Sequence, residues 1–93
     1  MLFLDELREV IEDRRKNPRV GSYTSQLFAS GEDEIYKKIG EEAIEVILAG
    51  KGQGNQRIVE EVSDLLYHLL VMLSLKGVSL GEIENELRRR HGA

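Results

Sequence analysis

The segment from Leu65 to Leu75 constrains the fold of this chain more than any other part of it. Its side chains are apolar almost all round a helical wheel, and the interruptions are few: Tyr67, His68 and Ser74. A helix that is apolar on every side normally lies inside a protein, because its whole surface has to be kept from water. We therefore predict a central helix that starts near Asn55 and ends at Gly77, a glycine suited to terminate it.

The rest of the chain also shows helical spacing, and no strand is predicted. Four helices are expected, over residues 2–16, about 31–49, about 55–76 and about 80–90. Pro18 stops the first helix, and Ser79 with Glu82 has the spacing of a capping box at the start of the last. Residues 19–30 are predicted to form a loop. The expected fold is therefore all-α, a single domain over residues 1–93 built as a four-helix antiparallel bundle.

The length and composition of the chain limit its partners and its metals. A domain of 93 residues buries a modest fraction of its surface, so we expect a dimer or a higher oligomer. The chain has no cysteine and only two histidines, which argues against a zinc site. Any metal would have to be held mainly by oxygen atoms, as Mg²⁺, Mn²⁺ and Ca²⁺ are.

The charge and the hydropathy pattern exclude two classes of function. A formal net charge of −4 argues against nucleic-acid binding through a basic surface. No apolar run reaches the length of a membrane-spanning helix, and the first residues lack the basic start of a signal peptide. We expect a cytoplasmic protein that contacts neither nucleic acid nor membrane.

Acidic residues interrupt the apolar face of the second predicted helix. Its apolar stripe is formed by three residues: Ile35, Ile39 and Val46. Glu42 falls inside this stripe, Glu45 lies about 60° to one side of it, and Glu41 lies further out. A carboxylate among core positions is costly unless it is paired or bound to a metal.

The third predicted helix repeats this anomaly beside its main apolar stripe, which is formed by Ile58, Val62, Leu65, Leu69 and Leu73. Glu61, Asp64 and His68 share the neighbouring stripe, so the acidic pair is expected to point at least partly into the protein. If the two helices pack side by side and antiparallel, Glu42 and Glu45 meet Glu61 and Asp64. Such a cluster of carboxylates suits a hard divalent cation.

A plainer interpretation of these residues also has to be considered. Glutamate and lysine are common in helices, and Lys38 with Glu42 has the spacing of a surface ion pair. His68 has a plain alternative as well, since a lone histidine in an apolar helix is more often a hydrogen-bonded core residue than a ligand. Two independent carboxylate pairs on apolar helices favour the metal site.

The acidic residues and their neighbours resemble a known family. The pattern Glu41-Glu42-x-x-Glu45 followed by Glu61-x-x-Asp64 resembles the signature of the all-α, MazG-like NTP pyrophosphohydrolases. More narrowly, the chain resembles the phosphoribosyl-ATP pyrophosphohydrolase family of histidine biosynthesis. Three segments carry the narrower resemblance: Gly21-Ser22-Tyr23-Thr24, the stretch from Lys38 to Val46, and Asp64-Leu65-Leu66-Tyr67-His68.

This resemblance implies a reaction, a cofactor and an assembly. The reaction is the hydrolysis of 1-(5-phosphoribosyl)-ATP to 1-(5-phosphoribosyl)-AMP and pyrophosphate, with Mg²⁺ as cofactor. The assembly is a homodimer or a dimer-based tetramer. In many organisms the activity is fused to the enzyme of the next step, but this chain is too short for that second domain, so we expect a stand-alone form.

The resemblance also suggests roles for the acidic residues and their neighbour Lys38. The expected metal ligands, which are also the expected catalytic residues, are Glu42, Glu45, Glu61 and Asp64. Glu41 lies outward of them and is given a lesser catalytic role, as a partner of the ligands or as the base that orients water. Lys38 is expected to meet a substrate phosphate or to pair with Glu42.

A second set of residues is expected to bind the substrate. Ser22, Tyr23 and Thr24 would offer hydroxyl and backbone donors to ribose or phosphate, although anchoring this segment in the core is an equally good interpretation. The other candidates are a basic group before that segment, Arg14, Arg15, Lys16 and Arg19, and His68. Two rival functions stay open: a general house-cleaning NTP pyrophosphohydrolase, and a non-catalytic helical dimerisation module.

Overall fold

The protein is made of α-helices. The computed structural model describes residues 2–92. Over this range the helices are α1 (Leu2–Lys16), α2 (Tyr23–Ser30), α3 (Glu32–Gly52), α4 (Asn55–Lys76) and α5 (Leu80–His91). The predicted all-α class is confirmed, but the number of helices is five, not four. None of the helices described is both long and apolar enough to cross a membrane.

The additional helix, α2, lies where the sequence predicted a loop. Ser22 caps its start, because the Ser22 side chain accepts a hydrogen bond of 3.1 Å from the backbone N–H of Ser25. Gly31 ends it with a φ of 95°, a conformation that favours glycine. The loop prediction was therefore wrong, but Leu27 does anchor the segment in the core, with 3% of its surface exposed.

The long helices α3 and α4 form an antiparallel hairpin that makes the most extensive helix–helix contact in the described part of the chain. The turn between them is short, and Gly54 has a φ of 89° in it. At the other end of α4, Gly77 has a left-handed φ of 70°, and its N–H donates to backbone carbonyls of the last turn. The predicted terminating glycine is thus confirmed.

A small apolar core joins the first four helices. Its buried members are Ile11, Leu27, Ile35, Leu70 and Val71. They come from α1, α2, α3 and, in two cases, α4, so α4 is the helix around which the others pack. The prediction of a central helix in this region is confirmed.

The buried face of α4 differs from the predicted apolar stripe. It includes three polar side chains, of Glu61, His68 and Ser74, next to Val71. By contrast, Val62 from the predicted stripe is 37% exposed. The reason is that α1, α2 and α3 pack against the stripe that carries Glu61, and no described helix covers Val62 to the same extent.

Helix α5 is held mainly at its first residues. Its capping box is present as predicted: the Glu82 N–H donates to the Ser79 Oγ, and the Ser79 N–H donates to the Glu82 carboxylate. Leu80 packs against the core, but no residue of α5 is buried. The described chain is therefore a compact four-helix unit, which includes the short α2, with α5 attached at one end.

A buried polar contact joins α1 to α4. Ser74, which is 1% exposed, donates its hydroxyl hydrogen to the carboxylate of Glu12. This hydrogen bond, together with the nearby Arg15 and Arg8 guanidinium groups, lowers the pKa of Glu12 to about 2. Arg8 also donates to the carbonyl of Val78 at 2.8 Å, just after the end of α4. The contact thus fixes α1 against the last turns of α4.

We predict that Ser74→Ala destabilises the protein in a pH-dependent way. A folded-state pKa below the unfolded value means that ionised Glu12 contributes stability above about pH 4.5. This contribution is lost as the pH falls from about 4.5 through 2, the folded-state pKa of Glu12. At pH 7 we expect a loss of about 1.5–3 kcal/mol, the worth of a hydrogen bond to a charged group, measured by urea unfolding.

Ser63→Ala is the matched control, since Ser63 lies on the same helix and its exposed hydroxyl donates only to the backbone carbonyl of Val59. Its free energy of unfolding should stay within about 0.5 kcal/mol of the wild type. Equal effects of the two substitutions, or a Ser74→Ala effect as large at about pH 2.5 as at pH 7, would contradict the interpretation.

Candidate metal and substrate site

Three of the predicted carboxylates meet at the contact between α3 and α4. Glu42 comes from α3, and Glu61 and Asp64 come from consecutive turns of α4. Each offers one oxygen atom, and these atoms lie within 4.8 Å of one another. Within residues 2–92 this acidic trio is the one group of three or more acidic or histidine side chains that is close enough to share an ion.

The acidic trio runs from the interior to the surface. Glu61 is 6% exposed, Glu42 is half-buried, and Asp64 is exposed. The sequence predicted that the acidic pair on α4 points into the protein, which is right for Glu61 and wrong for Asp64. One side of the trio is therefore open to a ligand from solvent.

The charges of the acidic trio are only partly compensated by the protein. Burial, and then the negative charges of Asp64 and Glu61, raise the pKa of Glu42, whereas the positive charge of Lys38 opposes the rise. A divalent cation would relieve this repulsion, and carboxylate oxygens are the donors that Mg²⁺ prefers. The residues present therefore fit a hard cation.

Arg57 is a neighbour of the acidic trio that the sequence analysis did not single out. Its Nη2 donates to Glu61 at 2.5 Å, and its Nη1 donates to Glu60 at 2.5 Å. The signal in the sequence was the spacing of four residues between Arg57 and Glu61, which places both on one face of a helix.

The other acidic residues predicted for the site lie outside the acidic trio. Glu45, one turn after Glu42, is half-buried but is not among the three carboxylates that converge. Glu41 is exposed, and Lys38 approaches it with 4.0 Å between the Nζ and the carboxylate. The roles proposed for Glu45, Glu41 and Lys38 stay predictions.

The hydroxyl groups of α2 are bonded to α4. The Tyr23 hydroxyl donates to the His68 Nε2 at 3.0 Å, and Thr24 shares a hydrogen bond with the Tyr67 hydroxyl. On its other side, the His68 Nδ1–H donates to the backbone carbonyl of Asp64 at 2.8 Å. Because a carbonyl only accepts, this bond fixes the tautomer and leaves Nε2 to accept from Tyr23.

These four residues form a clasp between α2 and α4: Tyr23, Thr24, Tyr67 and His68. His68 is 6% exposed, and the side chain of Ser22 is used as the cap of α2. The clasp favours the interpretation in which this segment is anchored in the fold. Tyr23 nevertheless lies close enough to the acidic trio to feel its charge. Burial, and then the negative charge of Glu42, raise the pKa of Tyr23.

The basic residues at the end of α1 are already paired within their own helix. Arg14 lies 2.7 Å from Asp13, Arg15 lies 2.8 Å from Glu12, and Lys16 lies 4.0 Å from Glu12. The described contacts join none of them, nor Arg19, to the acidic trio. A role of this group in phosphate binding stays a prediction.

The all-helical fold is consistent with the wider class that the sequence resembles, the all-α, MazG-like pyrophosphohydrolases. The chain belongs, within that class, to the phosphoribosyl-ATP pyrophosphohydrolase family, whose family model matches residues 4–91. The members of this family are hydrolases, and the resemblance found in the sequence is confirmed.

Curated relatives resemble the chain over nearly its whole length. The phosphoribosyl-ATP pyrophosphatase of Listeria welshimeri is 53% identical over 96% of this chain and 85% of its own length. That of Metallosphaera sedula is 46% identical over 94% of each protein. The histidine biosynthesis bifunctional protein HisIE of Pyrococcus furiosus is 59% identical over 94% of this chain, which spans 40% of that longer relative.

We predict that Tyr23→Phe lowers stability, because it leaves the buried Nε2 of His68 without a donor. The cost should be about 1 kcal/mol, the typical net worth of one hydrogen bond. Chemical unfolding followed by circular dichroism measures it. The matched control is Tyr36→Phe, whose exposed hydroxyl donates only to Glu32 and whose removal should cost less than about 0.5 kcal/mol. A Tyr23→Phe protein as stable as the control would show that the clasp does not hold α2.

Proposed function

We propose that this chain hydrolyses 1-(5-phosphoribosyl)-ATP to 1-(5-phosphoribosyl)-AMP and pyrophosphate, the second step of histidine biosynthesis. The observation that carries the proposal is the acidic trio at the α3–α4 contact of a chain that belongs to the phosphoribosyl-ATP pyrophosphohydrolase family. Relatives that share about half of its residues over nearly their whole length are named phosphoribosyl-ATP pyrophosphatases.

The proposed cofactor is Mg²⁺, held by Glu42, Glu61 and Asp64. Their oxygen atoms are close enough to share one ion, and Asp64 leaves the site open to solvent. When bound, the metal would neutralise the negative charge of the phosphates around the scissile bond. Glu45, one turn along from Glu42, is the nearest candidate for a further ligand.

The protein's own groups would orient the substrate and take up a proton. A water molecule attacks the α-phosphorus, the bond from that phosphorus to the bridging oxygen breaks, and pyrophosphate leaves with that oxygen. The proton of the attacking water passes to a carboxylate, for which the exposed Glu41 and the half-buried Glu45 are the candidates. Lys38, beside Glu41, would meet the phosphates.

The proposal keeps the cytoplasmic location predicted from the sequence, as suits an enzyme that acts on a small nucleotide.

A general NTP pyrophosphohydrolase would use the same carboxylates, so the substrate has to be decided by measuring turnover. The family and the names of the relatives support the phosphoribosyl nucleotide and give no support to a non-catalytic dimerisation module.

We expect Glu42→Gln and Asp64→Asn to lower the release of pyrophosphate from phosphoribosyl-ATP by at least about 100-fold, because each removes a charged ligand of the metal that would neutralise the reacting phosphates. The helical circular dichroism spectrum should stay that of the wild type. A chelator should stop the wild-type reaction, and added Mg²⁺ should restore it.

Two conservative substitutions elsewhere serve as controls. Asp33→Asn and Glu84→Gln change exposed acidic residues outside the site in the same way, and they should leave turnover unchanged. Wild-type turnover of a panel of NTPs and dNTPs is compared with that of phosphoribosyl-ATP. A preference for ordinary NTPs, or full activity of either site variant, would overturn the proposal.

The proposed assembly is a dimer of this chain, formed through the outer face of the α3–α4 hairpin. Apolar side chains on that face are exposed in the single chain: Ile44, Ile47 and Leu48 on α3, and Val59, Val62 and Leu66 on α4. The exposed fractions lie between 37% and 60%, so the patch is larger than a lone exposed residue and is typical of an interface.

Ile47→Lys is expected to shift the protein towards the monomer, because a charge in an apolar interface is costly. Sedimentation velocity at micromolar concentration measures the change. Val20→Lys, at a fully exposed position before α2, should leave the oligomeric state of the wild type unchanged. A wild type that sediments as a monomer would contradict the proposed dimer.

A further inference from the structure

Glu61 differs from the other two members of the acidic trio in its burial. Its side chain is 7% exposed, and it lies on the face of α4 that packs against the rest of the fold. A carboxylate charge in such a place is costly unless an opposite charge compensates it. When no metal is bound, the protein itself has to supply this charge.

The guanidinium of Arg57 supplies it. The Nη2 of Arg57 lies 2.5 Å from the Glu61 carboxylate, in the spacing of one helical turn. Arg57 is itself 45% exposed, so its charge is solvated on one side, while Glu61 has little access to water. The other terminal nitrogen of Arg57, Nη1, lies 2.5 Å from the carboxylate of Glu60, whose side chain is 44% exposed.

We propose that Arg57 is an internal cation that competes with the divalent metal for Glu61. In the metal-free protein the guanidinium holds Glu61, and a metal ion that binds the acidic trio displaces it. This inference rests on the metal site of the proposed function and adds a residue that sets how tightly that site binds its ion.

The exchange needs only a small movement. Arg57 can keep its bond to the exposed Glu60 while it gives up Glu61, so the displaced guanidinium stays paired at the surface. Binding is reciprocal: if the metal weakens the Arg57–Glu61 pair, that pair weakens metal binding by the same factor. An ion pair that is open to water on one side is worth about a twofold to fivefold change in affinity.

The test is a calorimetric titration of the full chain with Mn²⁺, which is used as a substitute for Mg²⁺. Arg57→Gln should bind Mn²⁺ about two to five times more tightly than the wild type. Lys51→Gln removes the same charge at the same end of the α3–α4 hairpin, where Lys51 forms no salt bridge with another described residue. Its affinity for Mn²⁺ should stay that of the wild type.

A second measurement does not depend on the titration. With a chelator present, Arg57→Gln should unfold at a lower temperature than the wild type, because Glu61 has lost its counter-charge. With saturating Mn²⁺ the two melting temperatures should converge, because the metal then supplies that charge. The metal-induced rise in melting temperature is therefore expected to be larger for Arg57→Gln than for the wild type or for Lys51→Gln.

The possible outcomes separate this inference from the proposed function. Wild-type protein that binds Mn²⁺ with the same affinity as Arg57→Gln keeps the metal site and overturns the competition. An equal gain in Lys51→Gln would assign the effect to net charge and would also overturn it. A wild type that binds no Mn²⁺ would overturn both the inference and the proposed cofactor.

Discussion

The packing of α3 against α4 is the contact on which the rest of the molecule depends. The two helices have 21 and 22 residues and are joined by a short turn, so their register is set where the chain reverses. That register brings Glu42 opposite Glu61 and Asp64. A slip of one residue would turn one helix by about 100° and separate the three carboxylates. The chemistry of the site therefore requires a particular register and not merely a stable bundle.

Polar contacts along the buried face of α4 position α1 and α2 against it. Glu61 meets Arg57 of its own helix, His68 meets Tyr23 of α2, and Ser74 meets Glu12 of α1. His68 and Ser74 find their partners only when α2 and α1 lie at the right height against α4, and a buried group without a partner is costly. The apolar residues between them supply the burial, and the polar contacts select one arrangement.

The sequence predicted the helix ends at Gly77 and Ser79 and the three acidic residues that converge, because these follow from local rules. Gly77 and the capping box of Ser79 are local signals, and a helical wheel places Glu42 inside an apolar stripe. Two other features depend on the neighbours that each residue meets in the fold, and a single helical wheel does not contain them. They are the second helix, which is held to α4 by hydrogen bonds of Tyr23 and Thr24, and the exposure of Asp64.

Gly31 is the only residue between α2 and α3, and its positive φ serves as the end of one helix and the start of the next. One residue thus sets the orientation of α2 relative to α3, whereas six residues, 17–22, separate α1 from α2. An insertion at Gly31 would rotate α2 about its axis and carry Tyr23 away from α4. Homologous chains are therefore expected to vary in length between α1 and α2 and to keep a single residue between α2 and α3.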